Sequence, residues 1–172
     1  MRPARCAPWF AVAILPLLAG GCAYSFNPSA LPSHVKTLQI PTLGNQTLEP
    51  TLSQELTDAL TQRFISDNTL QVIAKDADAV LEGEIVEYQN RVFGIGSDSV
   101  ADQYLVLIKV KMRLRDRVKN RDLWSEEAME GRASYGVGGE QAGQTVASEE
   151  EARNVAIRQV VDAAISLTVE GW

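Results

Sequence analysis

Two cysteines and one histidine are all that the chain has of the residues that most often build metal centres and nucleophilic sites. Cys6 and Cys22 both fall within the first 22 residues. If Cys6 belongs to a removed leader, an intrachain disulfide and a multi-thiolate metal site are excluded. His34 has no Ser or Cys nucleophile and no Asp in an activating pattern, Ser97 and Ser99 lack a G-x-S-x-G setting, and no enzyme signature emerges. Basic surplus is missing as well. The net charge is −6, and removal of residues 1–21 leaves 14 basic and 22 acidic residues, or −8. A protein that grips nucleic acid by its phosphates shows the opposite balance, so no nucleic-acid partner is expected.

The apolar run that does exist is N-terminal. Arg2 and Arg5 precede APWFAVAILPLL (7–18), then come Ala19-Gly20-Gly21 and Cys22. This is the charged, apolar, small-residue order of a secretory signal. A cysteine directly after the small residues is the lipoprotein variant, because the peptidase needs small side chains at the cut and the thiol accepts diacylglycerol. Pro8, Pro16 and the glycine pair argue against a spanning helix over Cys6 to Ala23. Three divisions follow: a signal peptide over 1–21, a lipidated Cys22 with an extended Pro- and Ser-rich tether over 22–34, and a single domain over 35–172. No cofactor is expected beyond the acyl groups on Cys22.

The domain alternates strand and helix patterns. Residues 35–40 read as a short strand closed by Pro41, and 42–47 as a polar turn at Gly44-Asn45. A first helix spans 49–66, with Pro50 at its first position and Leu52, Leu56, Ala59, Leu60 and Phe64 as one stripe. Leu70 to Ile73 and 79–88 read as strands, and 89–102 as a loop. Over 103–115, Tyr104, Val106, Ile108, Val110, Met112 and Leu114 alternate onto one face. A polar turn (116–121) and a returning strand (122–135) complete a hairpin, and 136–147 is a glycine-rich loop. Ser148 and Glu151 form a capping box for a second helix ending near Val169, whose inward stripe is Ala152, Val155, Ala156, Val160, Ala163, Ala164 and Leu167. The predicted fold is α+β: a two-layer sandwich with a mostly antiparallel four- or five-stranded sheet and two helices packed on one face.

Few constellations carry chemistry. The glycines at 94–96 and 136–143 lack the third glycine of a dinucleotide loop, since Ser99 and Gln141 stand there, so they read as surface loops. Glu149, Glu150 and Glu151 suit the positive end of a helix dipole, and Asp98 and Asp102 lack a third calcium-spaced ligand. The row Lys109, Lys111, Arg113 and Arg115 shares one sheet face. Arg117, Lys119 and Arg121 extend the charge into the turn, where it could meet the phosphates of a lipid headgroup. Alternatively the row is a solvated face neutralised across strands by Glu82, Glu84, Glu126 and Glu130. The hairpin also carries Trp124, Met129 and Tyr135, and at a sheet edge it could take a partner strand.

The mature start CAYSF (22–26) and LPSHVKTLQIPTLGNQTLEPTLSQELTDAL (31–60) resemble the LptE family of lipopolysaccharide-assembly lipoproteins. So do ADAVLEGEIVEY (77–88), QYLVLIKV (103–110), Leu123-Trp124 and the run SEEEAR (148–153). The resemblance implies the α+β fold already read from periodicity. It implies a lipid-anchored, periplasm-facing protein of the outer membrane that plugs and helps assemble a β-barrel lipopolysaccharide translocon (LptD-like), with lipopolysaccharide as a ligand. Ala23 is similar to the residue that follows the cysteine in outward-sorted lipoproteins. By topology Arg91, Lys119 and Arg121 would match the family's lipopolysaccharide contacts, with Lys111 and Arg113 beside them. A lone lipoprotein that binds and transfers an amphiphile is the alternative, and it predicts an apolar cavity between helices and sheet.

Overall fold

A computed structural model describes residues 31–95, 101–136, 146 and 148–170; the leader, Cys22, most of the tether and the glycine segments 96–100 and 137–145 lie outside the described residues. Asp98, Ser97 and Ser99 fall there too, as does the side chain of Asp102. The order is β1 (Thr37–Gln39), β2 (Gly44–Asn45), α1 (Leu52–Asp67), β3 (Gln71–Val72), β4 (Ala79–Ile95), β5 (Ala101–Asp116), β6 (Arg121–Gly136) and α2 (Glu149–Val169).

The fold is the predicted α+β sandwich, but the sheet has six strands in the order β3-β1-β4-β5-β6, with β2 also on β4. Long strands β4, β5 and β6 are antiparallel, while the three short ones pair in parallel. Three expectations are corrected. Gly44-Asn45 is a two-residue strand rather than a turn, because its backbone runs beside Glu84 and Ile85. The loop expected over 89–102 is mostly hairpin: backbone pairing continues past Tyr88, with Gln89 opposite Leu107 and Val92 opposite Tyr104, which polar side chains do not prevent. Pro50 precedes α1 instead of starting it, since Thr51 is the N-cap.

One face of the hairpins is the core face. Val106, Ile108, Val110, Met112 and Leu114 are buried there, as the alternation predicted, with Tyr104 partly buried beside them. They pack with Leu52, Leu56, Leu60 and Phe64 of α1 in one apolar cluster, so the layer between helices and sheet is filled by side chains. On α2 the buried set is Ala152, Ala156, Ile157, Val160, Val161, Ala164, Ile165 and Thr168. Val155, Ala163 and Leu167 are only half-buried. The stripe is rotated from the expected one because α2 packs against α1 as well as against the sheet. Ser148 caps α2 by accepting from the Glu151 amide, as its sequence predicted. Asn68, in the left-handed conformation at φ 58°, ends α1.

Two aspartates tie the segment His34 to Thr37 to the sheet. The Asp78 carboxylate accepts from the Lys36 and Thr37 amides and the Thr37 hydroxyl. Those bonds, the Lys36 amide first, hold Asp78 below its ordinary value of 3.8. Burial alone would push Asp116 up, yet the Lys119 amide and the His34 ring hold it below 3.8 as well. A carboxyl depressed on folding contributes stability that is complete above the ordinary value and is lost as the pH falls through the folded value. Thermal midpoints are therefore expected to be flat above about pH 5 and to drop steadily below about pH 4. Asp78→Asn should flatten part of that drop; an unchanged acid slope in this variant would contradict the assignment.

Candidate functional site

The outer face of the hairpins carries the basic row, and the structure gives each member a neighbour. Lys109 Nζ lies 2.9 Å from Glu87 and 3.6 Å from Glu130. Lys111 lies 3.6 Å from Glu127. Arg113 presents Nη2 at 2.6 Å and Nε at 2.7 Å to the same Glu82 oxygen. Arg115 bonds the Asn120 side chain. The Glu87 and Glu82 carboxylates raise the pKa values of Lys109 and Arg113.

Lys109, Lys111 and Arg113 are thus paired with acids across strands on a solvated face, with a different acid set from the one expected, while Arg115 meets the neutral Asn120 of the adjoining turn. Glu82 and Glu130 take part, but Glu87 and Glu127 replace Glu84 and Glu126, which form no ion pair with the row among the described residues. Glu84 stands opposite Lys111 in the register without forming an ion pair with it; register shifts between Ile85 and Glu87 and between Val110 and Met112 place Glu87 opposite Lys109 and Glu127 near Lys111. Each shift inserts one residue and moves the next acid into place.

The five cations expected to meet lipopolysaccharide do not converge. Lys111 and Arg113 sit mid-sheet in the pairs just described. Arg91 is exposed at the far end of β4, opposite Leu105. Beside it Val92 and Phe93 are 48% and 62% exposed, unusual for apolar side chains in a strand. Behind them a groove of about 460 Å³ is lined by Phe93, Leu105, Ala133, Val146 and Val155, with Arg132 at its wall. An apolar trough next to guanidinium groups suits an amphiphile that bears anionic groups. The sequence signal was there in Arg91-Val92-Phe93, but reading the segment as a loop hid it.

Lys119 and Arg121 lie at the opposite end, in the turn between β5 and β6. Asp116, wholly buried, organises that turn: its carboxylate accepts from the Lys119 amide at 2.9 Å, and Arg121 Nε stands 4.0 Å away. His34 Nε2 lies 2.8 Å from the same carboxylate. Along the chain His34 has no partner in an activating pattern, and Asp116 opens what reads as a polar turn. Asp-x-x-Lys at a strand end was the available signal, since Asp commonly closes such turns through its own carboxylate. Near α2, the Tyr88 hydroxyl donates to Glu149 at 2.8 Å, and burial followed by that carboxylate raises its pKa. Cys22 is outside the described residues.

Among solved structures, the fold is similar to a point variant of the PelC dodecamer from Paraburkholderia phytofirmans: TM-score 0.51, 16% identity, covering 77% of this chain and 86% of that one. It is also similar to a protein from Xanthomonas campestris, with TM-score 0.53 and 10% identity over 80% and 83% of the two chains. The rare lipoprotein B from Shewanella oneidensis aligns at TM-score 0.46 and 16% identity, over 75% of this chain and 89% of that one. At such identities the first two show the fold alone. No curated protein matches the sequence. The profile of LptE, lipopolysaccharide-assembly, matches residues 35–166. Because that match spans most of the chain, this protein belongs to the LptE family of lipopolysaccharide assembly.

Proposed function

We propose that the chain is an outer-membrane lipoprotein, acylated on Cys22 and facing the periplasm, that plugs and helps assemble a β-barrel lipopolysaccharide translocon and contacts lipopolysaccharide. Family membership over residues 35–166 is the observation that carries this reading. The leader order and the small residues before Cys22 support the anchor. Arg91 with Val92, Phe93 and the groove behind them is the arrangement that best fits a lipopolysaccharide, which joins phosphates to acyl chains. Lys111 and Arg113 would have to leave Glu127 and Glu82 to contribute. Lys119 and Arg121 lie at the other end of the sheet and take no part in this contact.

Affinity capture from mildly solubilised outer membranes is expected to bring down a β-barrel in about equal amount. A chain that elutes alone under those conditions would overturn the translocon role. Arg91→Glu combined with Phe93→Ser is expected to lower lipopolysaccharide capture about tenfold or more, the scale of losing one charge-assisted contact. Both side chains are exposed, so the thermal midpoint should be unchanged. Unaltered capture would move the contact away from this end.

A further inference from the structure

We infer that the turn between β5 and β6 is a docking tip that seats the domain on the anionic phospholipid surface holding its own anchor. This rests on the reading of Cys22 as acylated. Nine residue steps separate Cys22 from Leu31, a reach of at most roughly 30 Å. The first described residues then go straight to the tip. His34 meets Asp116 at 2.8 Å, and the Arg117 amide donates to the Asp78 carbonyl, one residue from the Ala79 that pairs with Asp116. The tether therefore delivers this end of the sheet to the membrane, and Arg91, opposite Leu105, lies roughly 37 Å further along β5.

The chemistry of the tip matches that surface. Arg117, Lys119 and Arg121 are exposed around it, and Val118 at its apex is 62% exposed. Asp116 is buried and satisfied from within, which leaves Asp122 as the exposed carboxylate adjoining the turn. Arg117 leans on Gln39 at 3.3 Å, a neutral partner. An apolar residue flanked by cations is the pattern of peptide segments that enter the headgroup region. The remainder of the chain is acidic, and Glu149, Glu150 and Glu151 open α2 at the level of Tyr88, well away from the tip. Screening confines each charge to about 10 Å at 0.1 M salt, so the local surplus governs the tip despite the negative total. An anionic surface is then drawn to this end, while the acidic start of α2 lies away from it. The turn is held in shape by the Asp116–Lys119 bond and by Asn120 at φ 50°, so it needs little ordering on contact.

The test uses the full acylated chain in vesicles. Val118→Cys, and separately Leu48→Cys, carry an environment-sensitive dye; Leu48 is 99% exposed in the segment facing Tyr88 and Glu149. In phosphatidylcholine with phosphatidylglycerol the dye at 118 is expected to shift to the blue and that at 48 to stay unshifted. Adding Lys119→Glu and Arg121→Glu should cut the lipid-inserted fraction about tenfold or more. Equal responses at 118 and 48, or a shift that survives charge reversal, would overturn the docking tip. A shift with lipopolysaccharide-bearing vesicles alone would also overturn it, and would assign the turn to that ligand. Failure of the anchor reading shows differently: the N-terminal peptide lacks acyl mass, and the protein does not float with either vesicle.

Discussion

Gly131→Ala is expected to lower the unfolding free energy by about 3 kcal/mol, at the upper end of what overpacking costs. A Cβ on Gly131 would stand 2.0 Å from the Ala156 carbonyl oxygen and 2.7 Å from its carbon. Neither is a side-chain tip that can swing away; both belong to the backbone of α2. Relief requires the helix to lift from β6 along its length, and that opens the layer filled by Val160, Ala164 and Met129. The stripe Ala152, Ala156, Val160 and Ala164 lets α2 lie this close, and Gly131 is its counterpart on the strand. Gln159 depends on the same approach, since its side-chain oxygen accepts from the Arg132 amide at 2.9 Å. Gly44→Ala is the control. There the nearest atom is Glu84 Cγ at 3.2 Å, a side-chain atom that can yield, so the change should stay within about 0.5 kcal/mol. Chemical denaturation of both variants decides it; a Gly131→Ala midpoint equal to wild type would mean that α2 sits further from the sheet than described.

The elements that were legible in the sequence are those whose physics is local or periodic. β5 buries one face along its length, so its alternation over Tyr104 to Leu114 reads directly as a strand. The Ser148–Glu151 cap is written in four consecutive residues. What escaped has other causes. β2 is two residues long, too short to show a period, whereas the equally short β3 was read within Leu70 to Ile73. The hairpin beyond Tyr88 is held by backbone pairing, to which residue type is nearly indifferent. The acid partners of Lys109 and Lys111 depend on bulges, which leave no mark on an alternating pattern. Asp116 misled because a carboxylate in a polar turn is usually solvated, and only the fold brings His34 onto it from 82 residues away. At the candidate site, each cation was legible as a residue. Their separation onto two ends and a paired middle was not, because it follows from strand length and register. The Cys22 reading uses linear chemistry alone and lies outside the described residues.

Phe64→Ala is expected to cost about 3–5 kcal/mol. Phe64 is 1% exposed and is among the largest fully buried side chains of the chain. Its ring fills space that no neighbour can reoccupy cheaply, because its own backbone is fixed: the Phe64 carbonyl accepts from the Asn68 amide in the left-handed cap. Domains of this size hold about 5–15 kcal/mol in all, so the loss should bring the variant near its unfolding midpoint at moderate temperature. Ile65 next to it is 53% exposed, and Ile65→Ala should change stability by less than about 1 kcal/mol. The pair separates burial from helix propensity, which the two substitutions share. The damage should also be uneven. After α1 the chain passes through buried Leu70 into β3, which among the described residues pairs with β1 alone, and β1 follows directly on the His34 segment. Loosening that edge frees the residues that fasten the tether to Asp116, while β5 and β6 keep their long pairing. Hydrogen exchange on Phe64→Ala is therefore expected to rise first at Leu38, Gln71 and Ile73, and last at Ile108 and Val110. Uniform acceleration across both groups would show that the edge and the hairpins open as one unit, and would remove the basis for treating the tether fastening as separable from the core.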